Sequence, residues 1–221
     1  MNQSQLNHLK SRFNFHQELS GLENFFQSAV FVPLILIEDE YHFIFEKRAA
    51  TIRQGGEICF PGGKIDSTDE TPQVTAIRET CEELGCQPEK LEVLGNLKIV
   101  LIPTGAMIYP YVGVFHQPLE ELEISPAEVE KIFTVPVSYF MNNQPEEYYS
   151  KILIHPYSIN GDSGEKEVYL PAEELNLPER YFEPWGNIDR KIYVYQVNGE
   201  TIWGITAEII VDFVNQMTNS K

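Results

Sequence analysis

Apolar and polar positions follow two periods along this chain, and the switch between them marks its elements. VPLILIEDEYHFIFEKR, from Val32 onward, reads as two strands around a turn near Glu38 to Glu40. LEVLGNLKIV and MIYPYVGVF read as two more, and YYSKILIHPYSI, KEVYLP and RKIYVYQV are strand-like as well. Between the first pair and the next, Val74, Ile77, Cys81 and Leu84 recur at three- and four-residue steps, which predicts a helix burying that stripe. Its ends are marked in the sequence. Thr71 is an N-cap, Pro72 suits the first helical position, and Gly85 suits the left-handed residue past the last turn.

Weaker patterns fill in the rest. SPAEVEKIF predicts a short helix or turn, with Ser125 as cap and Pro126 first inside it. GITAEIIVDFVNQM predicts a closing helix with Ile205, Ile209 and Phe213 on its apolar face. Leu6, Leu9 and Phe13 predict a short amphipathic helix at the start. There are no repeats or low-complexity tracts, so the expected architecture is one mixed α/β (α+β) domain with helices packed on strands.

Charge narrows the function classes. The net charge of −17 argues against sequence-independent nucleic-acid binding, which runs on Lys and Arg. An acidic protein still binds phosphates where divalent metals supply local positive charge. Cys59, Cys81 and Cys86 have no metal-ligand spacing and are expected as reduced, partly buried thiols. The polar N-terminus lacks an apolar leader, and the run from Ala29 to Ile37 is too short to span a bilayer. The C-terminal NSK is not a peroxisomal address. The expectation is a cytoplasmic protein with no membrane partner.

The candidate chemistry lies on the central helix. At about 100° per residue, Glu79, Glu82 and Glu83 fall roughly opposite the apolar stripe. Like charges at this spacing repel, so the face is either solvated or occupied by something positive. The three lie in the second half of the helix, where the macrodipole disfavours anions. Just upstream stands Phe60-Pro61-Gly62-Gly63, whose glycines let main chain approach a ligand closely. Oxygen ligands of this kind suit Mg²⁺ or Mn²⁺.

These residues resemble the Nudix box, G-x5-E-x7-R-E-U-x-E-E-x-G-U, where U is bulky and apolar. Arg78-Glu79-Thr80-Cys81-Glu82-Glu83-Leu84-Gly85-Cys86 fits its second half. The first half carries one extra residue, so counting forward from Gly63 reaches Asp69 and counting back from Arg78 reaches Glu70. Either acid could hold Arg78. Upstream, Arg48-Ala49-x3-Arg53 before Gly56-x3-Phe60-Pro61-Gly62-Gly63 resembles the added signature of the Nudix coenzyme A diphosphatases, although Gln54 and Gly55 alone separate Arg53 from Gly56 where that signature has three residues. Pro126-Ala127-Glu128-Val129, Val135-Pro136 and Ile202-Trp203-Gly204-Ile205-Thr206-Ala207 are similar to the same subfamily.

The resemblance implies an α/β/α sandwich around a mixed sheet. It implies a Nudix domain over residues 28–221 and leaves residues 1–27 as a helical extension. It implies metal-dependent hydrolysis of a pyrophosphate, with Glu79, Glu82, Glu83 and the Gly62 carbonyl holding Mg²⁺ or Mn²⁺. Arg78 would orient Glu79. Glu128 is either an outside carboxylate that binds metal or positions water, or a helix-start Glu favoured by the dipole. Arg48 and Arg53 would meet substrate phosphates or face solvent, and Lys64 likewise. The partner implied is a coenzyme A-like nucleotide, and a homodimer is left open. Trp203 and Phe60 are read as packed aromatics, and His116 and His155 as ordinary residues.

Overall fold

The computed structural model describes residues 3, 5 and 19–218; the helix expected from Leu6, Leu9 and Phe13 lies outside them. The main sheet has eight strands: β1 (Phe26–Ile37), β2 (Glu40–Arg48), β3 (Ile58–Cys59), β4 (Gly62–Lys64), β5 (Leu91–Asn96), β6 (Val100–Ile102), β7 (Ala106–Phe115) and β8 (Val129–Pro136). Then come β9 (Glu146–Ile154), β10 (Tyr157–Ile159), β11 (Lys166–Val168), β12 (Trp185–Val197) and β13 (Glu200–Trp203). Of these, β13-β12-β9 form a three-stranded sheet and β10-β11 a separate ribbon. The described α-helices are α1 (Pro72–Leu84), α2 (Val137–Asn142) and α3 (Gly204–Thr218).

The main sheet is mixed because β1 and β7 run parallel, pairing Phe26 with Ala106 through Leu34 with Val114, while β2 returns antiparallel along β1. The return is a two-residue turn in which Glu38 and Asp39 both have positive φ, 48° and 68°, matching the twist of the strands it joins. Alternation then sorts side chains to two faces. Ala29, Phe31, Ile35 and Ile44 face one way, with Ala76 and Leu84 of α1. Val32, Leu34, Phe43 and Phe45 face the other, with Ile209, Ile210 and Phe213 of α3 and with Tyr195, Val197 and Ile202 of the smaller sheet. The expected layering of helix, sheet and helix is present.

Two expectations need correcting. Ser125–Glu128 forms a turn, closed by amides of Glu128 and Val129 on the Ser125 carbonyl, but the residues from Val129 onward continue as β8, not as a helix. Pairing against β2 decides this, since Val129 lies opposite Arg48 and Phe133 opposite Phe45. On α1, the buried residues are Thr75, Ala76, Thr80, Glu83 and Leu84, while Val74 is 42% exposed. The helix is turned so that small side chains meet β1. The Thr75 hydroxyl donates to Asp69 and the Thr80 hydroxyl to the Ala76 carbonyl, so neither is left unpaired in the interior. That rotation carries Glu83 inward.

The core under α3 is aromatic. Phe43 has the rings of Phe45, Phe60, Phe140 and Phe213 at 6.0, 5.6, 5.6 and 5.0 Å. Replacing it with alanine should cost about 3–5 kcal/mol, the range for a large aromatic removed from a close-packed core. Urea unfolding measures this, and a loss under about 1 kcal/mol would mean that the cluster repacks freely.

Candidate active site

The Phe60-Pro61-Gly62-Gly63 segment lies between β3 and α1, and glycine is required at both of its last positions. Gly62 has φ 154°, and a Cβ there would strike the Ala29 carbonyl and Val30. A Cβ on Gly63 would overlap the carboxylate of Glu79. The missing side chains let β4 pair with β1, Val30 opposite Gly62, and let α1 lay its glutamates over the strand.

Arg78 organises the outer side of the cluster. Its fork grips Asp69 with Nε to Oδ1 at 3.2 Å and Nη2 to Oδ2 at 3.0 Å. Its Nη1 reaches Glu79 at 2.8 Å and Glu82 at 3.1 Å, and Nη2 also donates to the Lys64 carbonyl at 3.4 Å. The choice left open in the sequence resolves to Asp69. Arg78, together with the Asp66 amide, holds the Asp69 carboxyl well below the usual carboxylate range. Glu79 is thereby fixed over Gly63, while Glu82 stays on the exposed side.

The inner side is a buried acidic pair. Glu83 is 4% exposed and accepts a 2.8 Å hydrogen bond from the Gly62 amide. Burial, then the neighbouring charge of Glu46, pushes its carboxyl up to about 9. Glu46, fully buried on β2, is itself raised to about 6, chiefly by burial. The Cys59 thiol donates to Glu46 Oε1 at 3.1 Å, whereas Oε2 is buried without a hydrogen-bond partner. Arg48 lies 3.8 Å from Glu46 and 4.0 Å from Glu83, so it supplies positive charge to both. Burial also raises Glu79, against the opposing effect of Arg78.

This donor set fits a hard divalent cation. The candidate ligands are all oxygen, one carboxylate oxygen is orphaned in the interior, and burial together with the Glu46 charge raises Glu83 despite Arg48 nearby. Among the described residues, no three His, Cys, Asp or Glu side chains are drawn into one closed cluster. Arg78 keeps Glu82 outward.

The other expected residues distribute unevenly. Glu128 is exposed on the turn before β8, close enough for its charge to raise both Glu46 and Glu79. Lys64 is exposed at the end of β4. Arg48 lines a cavity of about 340 Å³ beside Gly62. Arg53 is exposed; its carbonyl accepts from Arg48 Nε, and the neighbouring Gln54 lines the cavity instead. Phe60 is packed as expected, 4.8 Å from the Phe45 ring. His116 is exposed and meets Glu92 at 3.0 Å. Trp203 is not a core residue: it is 44% exposed and lines the cavity, because its neighbour Ile202 takes the inward-facing position on β13. The three cysteines are free, as expected.

Sequence reasoning missed Glu46. The signal was the alternation in Phe43-Ile44-Phe45-Glu46, which puts Glu46 on the face of Ile44, beneath α1. It also missed Arg190, which lines the cavity from β12 and pairs with Glu208 at 3.2 Å.

The NUDIX domain family model matches residues 26–193. Over 124 residues the chain is 35% identical to the mouse (Mus musculus) protein named "Peroxisomal coenzyme A diphosphatase NUDT7", covering 56% of this chain and 51% of that protein. Over 113 residues it is 35% identical to "Nudix hydrolase 3" of Caenorhabditis elegans, covering 49% and 47%. Over 192 residues it is 30% identical to "Uncharacterized Nudix hydrolase NudL" of Enterobacter sp. (strain 638), covering 86% and 82%. The chain thus spans about half the length of the mouse and nematode relatives and most of the bacterial one.

Two outcomes follow from this geometry. The folded chain keeps a proton on Glu83 that the unfolded chain releases above pH 4.5, so this group's contribution to stability is complete below about 4.5 and is lost as pH rises through about 9. In chelator, the melting temperature should fall across that window, and Glu83→Gln should flatten the slope. An equal slope in the variant would show that Glu83 ionises freely. Separately, Asp69→Ala should lower turnover at least tenfold by releasing Arg78 and with it Glu79, while Glu70→Ala should leave it within about twofold. Equal effects would reject the pairing with Asp69.

Proposed function

The chain belongs to the NUDIX family, and from that premise we propose that it is a Mg²⁺- or Mn²⁺-dependent pyrophosphohydrolase acting on coenzyme A or its thioesters. The products are 4′-phosphopantetheine and adenosine 3′,5′-bisphosphate. The observation that carries the reading is the buried pair Glu46 and Glu83, facing Arg48 at the mouth of a ligand-sized cavity. Carboxylates so placed are costly unless they hold a cation, and a guanidinium beside them suits a substrate phosphate. The resemblance of Arg48 through Gly63 to the coenzyme A signature and the mouse relative's name support the substrate. The catalytic unit is residues 28–221 with an N-terminal extension over 1–27, and its location is proposed as the cytoplasm. Among the described residues, no helix is long and apolar enough to cross a membrane.

In this reading Glu79, Glu82, Glu83 and the Gly62 carbonyl would hold the divalent cation, with Glu46 beside them; Glu82, kept outward by Arg78, would turn in to join them. Held there, the cation would supply charge neutralisation of the pyrophosphate oxygens, polarisation of phosphorus and a lowered pKa for water. The chain's own residues do the rest. Arg78, braced by Asp69, fixes the Glu79 carboxylate over Gly63. Arg48 offsets the charge of the incoming pyrophosphate at the mouth of the cavity. Glu128, exposed on its turn and near Glu79, is placed to orient water and accept its proton.

A second reading is favoured by one observation. Arg53 is exposed and Gln54 takes its place on the cavity wall, which suits a Nudix hydrolase of ADP-ribose, a dinucleotide or a nucleoside triphosphate. Product analysis by mass spectrometry separates the two. Chelator-sensitive release of phosphopantetheine from coenzyme A is expected, with Glu83→Gln at least a hundredfold slower. Turnover of another nucleotide alone would move the substrate and leave the metal site standing. Binding without turnover of any would make the chain a Nudix-fold nucleotide-binding regulator.

A further inference from the structure

The cavity beside the glutamates has a second wall in which the hydrolytic residues take no part. It is made by the three-stranded sheet. Arg190 and Ile192 lie two apart on β12 and so point to one side. Ser150 is paired opposite Arg190, and Trp203 opposite Val194, which shares the face of Ile192. Strand pairing thus brings Ser150, Arg190, Ile192 and Trp203 onto one surface, and all four line the cavity. Arg48 and Phe60 line the wall across from them.

Two features make this wall a recognition surface. The first is the indole. An aromatic ring left 44% exposed, on the same face as Ile192, offers a flat apolar face to a planar ligand. The backbone that carries the ring is tied down on its C-terminal side. Gly204, at φ 62°, turns the chain directly into α3, and the Thr206 hydroxyl donates to the Ile58 carbonyl at 3.1 Å, tying the start of α3 to β3. Backbone anchored in this way need not be ordered again on binding. The second feature is Arg190. Glu208 takes one N–H of its fork at 3.2 Å and orients the guanidinium, whose planar donors match phosphate. A stacking face beside a phosphate donor describes a nucleoside phosphate better than an acyl chain. Trp203 also lies beyond the residues that match the family model.

We propose that Trp203 is the stacking platform for the purine base of the substrate and that Arg190, oriented by Glu208, binds a phosphate carried on its ribose. The proposal rests on the reading of the neighbouring carboxylates as the place where a nucleotide pyrophosphate is cleaved. It assigns the adenosine half to the smaller sheet and leaves the other half of the substrate outside this cavity.

The chain has two tryptophans. The second, Trp185, packs edge-on against Tyr181 at 5.2 Å, so Trp185→Phe leaves Trp203 as the sole fluorescent indole. In that protein, with chelator present to stop turnover, adenosine 3′,5′-bisphosphate and AMP should quench the emission saturably, and 4′-phosphopantetheine should not. By calorimetry on the otherwise native chain, Trp203→Leu should weaken adenosine 3′,5′-bisphosphate about tenfold or more, and Trp203→Phe about threefold or less. Arg190→Gln should weaken the bisphosphate more than adenosine. Unchanged melting temperatures check that each variant is folded. Quenching by phosphopantetheine and not by adenine nucleotides would overturn the proposal, as would unchanged affinity in Trp203→Leu. Because these are binding measurements, the two readings fail separately. Cleavage of ADP-ribose instead of coenzyme A would leave adenine stacking intact, whereas coenzyme A cleavage without adenine quenching would remove this proposal alone.

Discussion

Two carboxylates buried side by side repel each other and forgo hydration, and the active-site region is arranged around carrying that cost at Glu46 and Glu83. The Gly62 amide stabilises one and the Cys59 thiol the other, with Arg48 within 4.0 Å of both. The helix must be rotated so that Glu83 faces inward, which in turn requires Thr75, Ala76 and Thr80 along its buried face. The strand beneath must lack side chains at positions 62 and 63. The box glycines, the helix orientation and the placement of Arg48 are therefore parts of one electrostatic arrangement.

The two sides of the cluster carry their charges differently. On the outer side, Arg78 meets Asp69, Glu79 and Glu82 by direct contact. On the inner side a single guanidinium serves two buried acids, which leaves a shortage of positive charge. In the proposed function, a cation would answer the carboxylates' part of that imbalance and a phosphate-bearing substrate Arg48's.

Strands, caps and turns were legible because each rests on local chemistry. Thr71, Pro72 and Gly85 bound α1 as expected, with the Thr71 hydroxyl accepting from Val74 and Gly85 at φ 65°. What failed to show in the sequence depended on tertiary partners. Val74 fits a 3.6-residue stripe but lies outside, since the rotation of α1 is set by Glu83 reaching Gly62. Val129 to Phe133 look helical until β2 offers a pairing edge. The acids of the box were readable as a cluster, whereas Glu46 stood in an apolar strand more than thirty positions away and became visible only through register. Trp203 looked like core because it adjoins Ile202, and strand alternation separates the two.

The parallel pairing of β1 with β7 and the separate sheet of β9, β12 and β13 give the molecule a division of labour. The acids stand on the main sheet and α1, while the opposite cavity wall is supplied by strands that share no backbone ladder with them. Under the proposed reading, recognition of the ligand and cleavage of its bond thus fall to two separately hydrogen-bonded sheets that share one core, since Tyr195, Val197 and Ile202 of the smaller sheet are buried with Phe43 and Phe45 of the larger.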